Sequence, residues 1–137
     1  MAEEFNRVFS CTCAMAQYAI HLETRWIDQV AVVAISGVID VLTAPRLMKA
    51  IEEALLRAPR GLVVDMSDVE FLAPAGMTVV VATQHRLVGE RRMAVVADGP
   101  ATSRPMKLIG IDSVVALHQT LEQALLDVCP MTADLDD

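Results

Sequence analysis

Asp65 and Ser67 set a carboxylate and a hydroxyl two residues apart, at the end of the apolar run Leu62-Val63-Val64. Asp40 places another carboxylate just past a second apolar stretch, Val30 to Ile35 with its continuation Val38-Ile39. In α/β proteins, ligand and partner surfaces form at the carboxyl ends of parallel strands, where loops lead into helix N-termini. The segment Leu72-Ala73-Pro74-Ala75-Gly76 leads into an apolar stretch of helical length, so it belongs to the same end. Asp and Ser also satisfy loop backbone groups without any ligand, and Asp65 is assigned that loop-structuring role. A lone carboxylate–hydroxyl pair with no base beside it suits contact with another molecule better than a reaction.

Motifs for catalysis are missing. All six glycines are isolated, so there is no GxGxxG turn and no phosphate-cradling loop. No GxSxG elbow presents a nucleophile. His21, His85 and His118 are far apart and fall on a strand, a helix face and a strand end, where they read as ordinary surface or core histidines. Cys11, Cys13 and Cys129 do not have the spacing of a zinc knuckle. Their odd number, in a chain without an export signal, indicates reduced thiols. The expectation is a protein with no catalytic residue, no metal and no cofactor.

Composition narrows the partner class. The 137 residues suffice for one domain with its own core. The hydrophobic fraction is 54%, yet no apolar run approaches the roughly 18 residues of a membrane span. Met1-Ala2-Glu3-Glu4 is acidic where a signal peptide is positive, which predicts a cytoplasmic protein. The net charge is −7, and the chain has one Trp, one Tyr and three Phe. It therefore lacks both the basic patch and the stacking platform of a nucleic-acid binder. A protein partner is the remaining class, and a homodimer is compatible with this reading.

The elements that must position these residues follow from periodicity. Residues 1–15 read as a loose leader, 16–130 as the domain and 131–137 as an acidic tail. Alternation from Tyr18 to Trp26 predicts a half-buried strand with Tyr18, Ile20, Leu22 and Thr24 on one face. Asp28-Gln29 is a turn, and Val30 to Ile35 is a strand covered on both sides. Thr43 is an N-cap for a helix carrying Leu47, Ile51 and Leu55 on one stripe. Leu62 to Met66 is the next strand, with Ser67-Asp68 opening a loop beyond it. Met77 to Glu90 reads as a helix by length, although Val79-Val80-Val81 favours a strand. Met93 to Ala97 is a strand, Pro100 to Ile109 a short helix stopped by Gly110, and Val114 to Leu117 a last strand. Thr120-Leu121-Glu122-Gln123 is a capping box, followed by Leu121, Ala124, Leu125 and Val128 at helical spacing. The order ββαβαβαβα predicts an α/β fold with a largely parallel sheet and an antiparallel start.

Four segments, in order, resemble the STAS family, which includes the anti-sigma factor antagonists. Val33-Ala34-Ile35-Ser36-Gly37-Val38-Ile39-Asp40 resembles its strand ending in G-x-x-D, and Thr43-Ala44-Pro45-Arg46-Leu47 its first helix start. Val63-Val64-Asp65-Met66-Ser67-Asp68-Val69 resembles V-x-D-x-S-x-V, and Phe71-Leu72-Ala73-Pro74-Ala75-Gly76-Met77 resembles F-x-D-S-x-G-L. The likeness covers about residues 17–129. It implies an α/β, mixed but mostly parallel, sheet of four to five strands backed by about four helices. It also implies an anti-sigma factor as partner, often a serine kinase, which ends binding by phosphorylating the serine of D-S-x-G. A doubly charged phosphate at a helix start would disrupt a contact surface centred there.

This chain departs where that switch operates. Ala73 stands in the Asp position and Pro74 in the Ser position, so Pro74 is a degenerate phosphorylation site without a hydroxyl. Losing the Asp removes an N-cap, at a cost of about 1 kcal/mol. The fixed φ of Pro74 suits a first helical turn and offsets part of that. Ser67 and Thr78 are the nearest hydroxyls. The expected contact surface is Asp40, Thr43, Ser67, Ala73, Pro74, Ala75, Gly76 and Met77, with Val80 where the helix exposes it. The alternative is a small-ligand or transporter-associated STAS module, taking a nucleotide or working in a lipid-transport complex.

Overall fold

The structure, a computed structural model, describes residues 20–87 and 92–128. The three cysteines, the leader, the acidic tail and the 88–91 connection lie outside the described residues.

Strand β1 (His21–Ile27) and strand β2 (Val30–Ile39) form an antiparallel hairpin joined by Asp28 and Gln29. Both joining residues have left-handed φ, 51° and 70°, as a two-residue primed turn requires. The chain then builds helix α1 (Ala44–Leu55), strand β3 (Gly61–Leu72), helix α2 (Pro74–Arg86) and strand β4 (Arg92–Val96). Helix α3 (Ser103–Leu108), a 3₁₀ turn (Ile111–Ser113), strand β5 (Ala116–His118) and helix α4 (Leu121–Val128) complete it. The sheet order is β1-β2-β3-β4-β5, parallel from β2 onward. The mixed sheet with four helices is the architecture that the element order predicts.

The continuous apolar strands are covered on both faces, but unequally. Ala31, Val33, Ile35, Leu62, Val64 and Met66 point to the face that buries Leu47 and Ile51 of α1 and Val80 of α2. Val30, Val32, Val63, Ala94 and Val96 point to the other, where Ala124 and Val128 of α4 pack. Gly61 permits that packing, since a Cβ there would lie 2.9 Å from the Val128 carbonyl oxygen. The capping box forms in half, its return bond displaced by one residue. Thr120 Oγ1 accepts the Gln123 N–H, while Gln123 Oε1 accepts from Gln119 rather than from Thr120.

One boundary corrects the sequence reading. Ser67 and Asp68 do not open a loop, because β3 runs twelve residues, to Leu72. Strand β4 pairs with β3 only as far as Asp65, and beyond it β3 continues along β2 alone, from Ser36↔Asp68 to Ile39↔Leu72. This overhang buries only Met66, Val69 and Leu72, so its remaining polar residues hide its strand character from a period-two pattern. Two register shifts and the left-handed Gly37 (φ 100°) bend the paired strands along this stretch.

Candidate functional site

The overhanging ends of β2 and β3 place the starts of α1 and α2 side by side. Past Ile39 the chain turns through Asp40, whose carbonyl oxygen accepts the N–H groups of Thr43 (3.2 Å) and Ala44 (2.8 Å). Its Oδ1 accepts the N–H groups of Leu42 (2.9 Å) and Thr43 (3.0 Å). Donation from the Thr43 N–H, against a smaller desolvation, holds the Asp40 carboxyl below the ordinary aspartate value.

Asp40 therefore takes the capping role expected of Thr43. Thr43 has near-helical angles (φ −99°, ψ −20°), and its side chain caps nothing in α1. Instead its hydroxyl accepts the Asp40 N–H (2.8 Å) and donates back to the Val38 carbonyl (2.9 Å). Buried, it is a strut across the turn and offers a partner no contact.

The start of α2 has no polar side-chain cap. Ala73 is extended (φ −83°, ψ 165°), and Pro74 opens the first turn. The Ala73 N–H donates to the Ile39 carbonyl (2.8 Å), and its own carbonyl accepts from Gly76 (2.9 Å) and Met77 (3.3 Å). Gly76 is wedged against both strands, since a Cβ there would stand 2.5 Å from Leu72 Cδ1 and 2.6 Å from Ile39 Cγ2. Close approach, not left-handed geometry, is what requires glycine here.

Two expected contact residues are core instead. Val80 is 0% exposed and Met77 7%, because both point under α2 into the main cluster. Pro74 is exposed and Ala75 half-buried, so the accessible part of this segment is its first turn. Ser67 is exposed but stands apart from that turn. It lines a shallow polar depression on the open sheet face with His21, Glu23, Arg25, Ser36 and Asp68. There its hydroxyl and N–H both donate to Asp65 Oδ1, a bond within β3 rather than in the loop that the sequence suggests. Thr78 donates to the Pro74 carbonyl (3.1 Å).

Sequence reasoning missed the apolar part of the site. Val41 (72% exposed) and Leu42 (70%) ride on the Asp40 turn, and Phe71 (54%) pairs across from Val38 one step before the α2 junction. With Pro74 they flank the two helix starts along the chain as an exposed apolar rim, Phe71 standing on the strand face opposite the buried Leu72, and Asp68 and Glu70 are exposed on the same overhang. One signal was available. Two apolar residues inside a four-residue turn closed by Asp40 and Thr43 have no strand or helix to bury them.

The histidines take no part in it. His118 Nε2 lies 2.9 Å from Asp127 Oδ2 and ties β5 to α4, while His21 and His85 are exposed. Among the described residues no group of three or more His, Cys, Asp or Glu is placed to hold a metal ion, and no helix is long and apolar enough to cross a membrane.

Comparison with known proteins places this geometry among relatives. Residues 22–127 match the family model described as "Mlab, STAS domain". The chain is 41% identical over 99 residues to the anti-sigma-F factor antagonist RsfB of Mycobacterium tuberculosis, covering 72% of this chain and 81% of the relative. The crystal structure of an anti-sigma factor antagonist from Mycobacterium paratuberculosis superposes with a TM-score of 0.78 at 43% identity, over 80% of this chain and 94% of that one. The crystal structure of the protein tm1081 from Thermotoga maritima shares the fold at 18% identity (TM-score 0.71, over 78% of this chain and 93% of that one).

Proposed function

Since this chain belongs to the STAS domain family, we propose that it is an anti-sigma factor antagonist whose binding is not switched by phosphorylation at position 74. The observation that carries this reading is the exposed apolar rim of Val41, Leu42, Phe71 and Pro74 around two well-formed helix starts. Apolar side chains held by a rigid turn lose little freedom on binding, and burying them contributes roughly 25 cal/mol per Å². Pro74 keeps the α2 start in shape and offers no oxygen to a kinase. The two hydroxyls nearest in sequence, on Ser67 and Thr78, are both committed to hydrogen bonds.

The partner is an anti-sigma factor, a serine kinase in type, or a related regulator of the same pathway. Its contact centres on Val41, Leu42, Phe71, Ala73, Pro74 and Ala75, with Asp40 and Gly76 shaping the surface from beneath. Leu42→Asp should weaken binding to the cognate anti-sigma factor by at least about tenfold, the scale of an anchor residue at an interface. Its Tm should stay near that of the parent, because Leu42 is exposed. In a mixture with that partner and ATP, the intact mass should stay unchanged. A stoichiometric phosphate gain would overturn the non-switchable half of the proposal, and undiminished binding of Leu42→Asp would overturn the surface. The small-ligand alternative predicts a nucleotide-induced rise in Tm, which antagonism does not.

A further inference from the structure

Strand β1 is an edge of the sheet, and among the described residues no strand pairs with its outer side. The Ile27↔Val30 pair closes the two-residue turn and is hydrogen-bonded, so alternate residues back along β1 (Arg25, Glu23, His21) also bond to β2. Leu22, Thr24 and Trp26 then direct their N–H and C=O groups outward. An edge of this length invites another strand unless its side chains repel one.

The side chains of β1 are matched to themselves. Take an antiparallel copy related by a twofold axis through Thr24. Thr24 then faces Thr24 as a hydrogen-bonded pair, and the outward groups of Leu22 meet those of Trp26 in the other copy. Glu23 falls opposite Arg25, and Arg25 opposite Glu23, in the non-hydrogen-bonded positions where side chains lie closest. All four charges sit on the open face of the sheet, where Glu23 and Arg25 are exposed. Shifting the centre to Leu22 or Trp26 keeps the outward groups in phase but pairs Glu23 with His21, or Arg25 with Ile27, so the complementarity is lost. On the other face, Leu22 meets the half-exposed Trp26 of the second copy, whose ring is already fixed by Arg57 stacked 5.0 Å from its centroid.

We infer that β1 is a self-association edge, through which two copies of this chain form a continuous ten-stranded sheet in the Thr24-centred register. An axis normal to the sheet reverses strand direction, so the two apolar rims point away from each other. Both then remain free for partners.

The test uses the full chain and a charge exchange. The parent should run as a concentration-dependent dimer of twice 14.9 kDa in sedimentation velocity. Glu23→Arg alone places like charges opposite each other twice, as does Arg25→Glu alone, and each should weaken dimerisation by about tenfold or more. Mixed one to one, the two variants restore both opposite-charge pairs, so the mixture should form a heterodimer. That recovery also shows that neither variant is misfolded. A parent that stays monomeric at its highest soluble concentration overturns the inference. So do single variants that dimerise as well as the parent, and a mixture that stays monomeric.

Discussion

Helices α1 and α2 begin side by side at one end of the sheet, yet they are started by different chemistry. The α1 start is polar. One carboxylate, Asp40, collects two backbone N–H groups, and Thr43 braces the turn from inside. The α2 start is steric, with an extended Ala73, a Pro74 whose φ is preset, and a Gly76 pressed onto Ile39 and Leu72. A helix start thus keeps its shape after its polar groups are gone, provided the backbone is fixed another way. The two starts also divide roles within the surface. The polar start holds its geometry through charge, and the steric start offers a partner nothing to titrate or to phosphorylate at position 74.

The steric start is most vulnerable at Gly76. Gly76→Val inserts a branched side chain where even a Cβ would stand 2.5 Å from Leu72 and 2.6 Å from Ile39. Ile39 is itself β-branched and cannot swing aside, so the helix must lift from the strands. We expect a loss of about 3 kcal/mol, at the upper end of overpacking costs, measured by urea denaturation. A loss near zero would mean that α2 is held by its other contacts and that its start is not steric.

How much of this was readable in the sequence depends on whether burial followed a period. The Asp28-Gln29 turn, the paired apolar strands and the α4 stripe of Ala124 and Val128 obey simple periods, and they appear in the structure as expected. Helix α2 does not, since Val79 and Val80 are buried together and Val81 half-buried. A helix sunk this deep leaves no stripe to show that Met77 and Val80 face inward. The overhang of β3 failed for the opposite reason, because its Ser67, Asp68 and Glu70 are too polar to read as strand. The apolar rim escaped because Val41, Leu42 and Phe71 look like core residues, and only their place in a turn or an overhang exposes them. The family resemblance located the site, but which atoms of it face a partner is a three-dimensional fact.

A smaller loss should follow removal of the polar start. Asp40→Ala deprives the Leu42 and Thr43 N–H groups of one shared acceptor, so Tm should fall, though less than for Gly76→Val. The effect carries a pH signature that Gly76→Val lacks. The Asp40 carboxyl is held below its ordinary value when folded, so its contribution is fully present above the unfolded value of about 3.9. It is lost as pH falls through the lower folded value. The Tm difference between parent and Asp40→Ala should therefore be constant from neutral pH down to that range and shrink below it. A difference that persists unchanged in acid would mean that the carboxylate charge is not what holds the α1 start.

The smallest effect tests whether the steric start is complete without a polar cap. Ala73 already has the extended geometry of an N-cap, with ψ at 165°, so a short acceptor there needs no backbone change to reach the first-turn N–H groups. Ala73→Asn and Ala73→Asp should each raise stability by about 1 kcal/mol at neutral pH. Asp should exceed Asn slightly, because its charge also meets the helix dipole, and only the Asp gain should fade in acid. The pair isolates the two contributions that the chain does without. If neither substitution stabilises, Pro74 and Gly76 have already fixed the turn and its N–H groups are satisfied, which makes the steric start sufficient by itself. If both stabilise, the alanine leaves stability unused at the centre of the contact surface, in return for a first turn that presents only apolar groups to a partner.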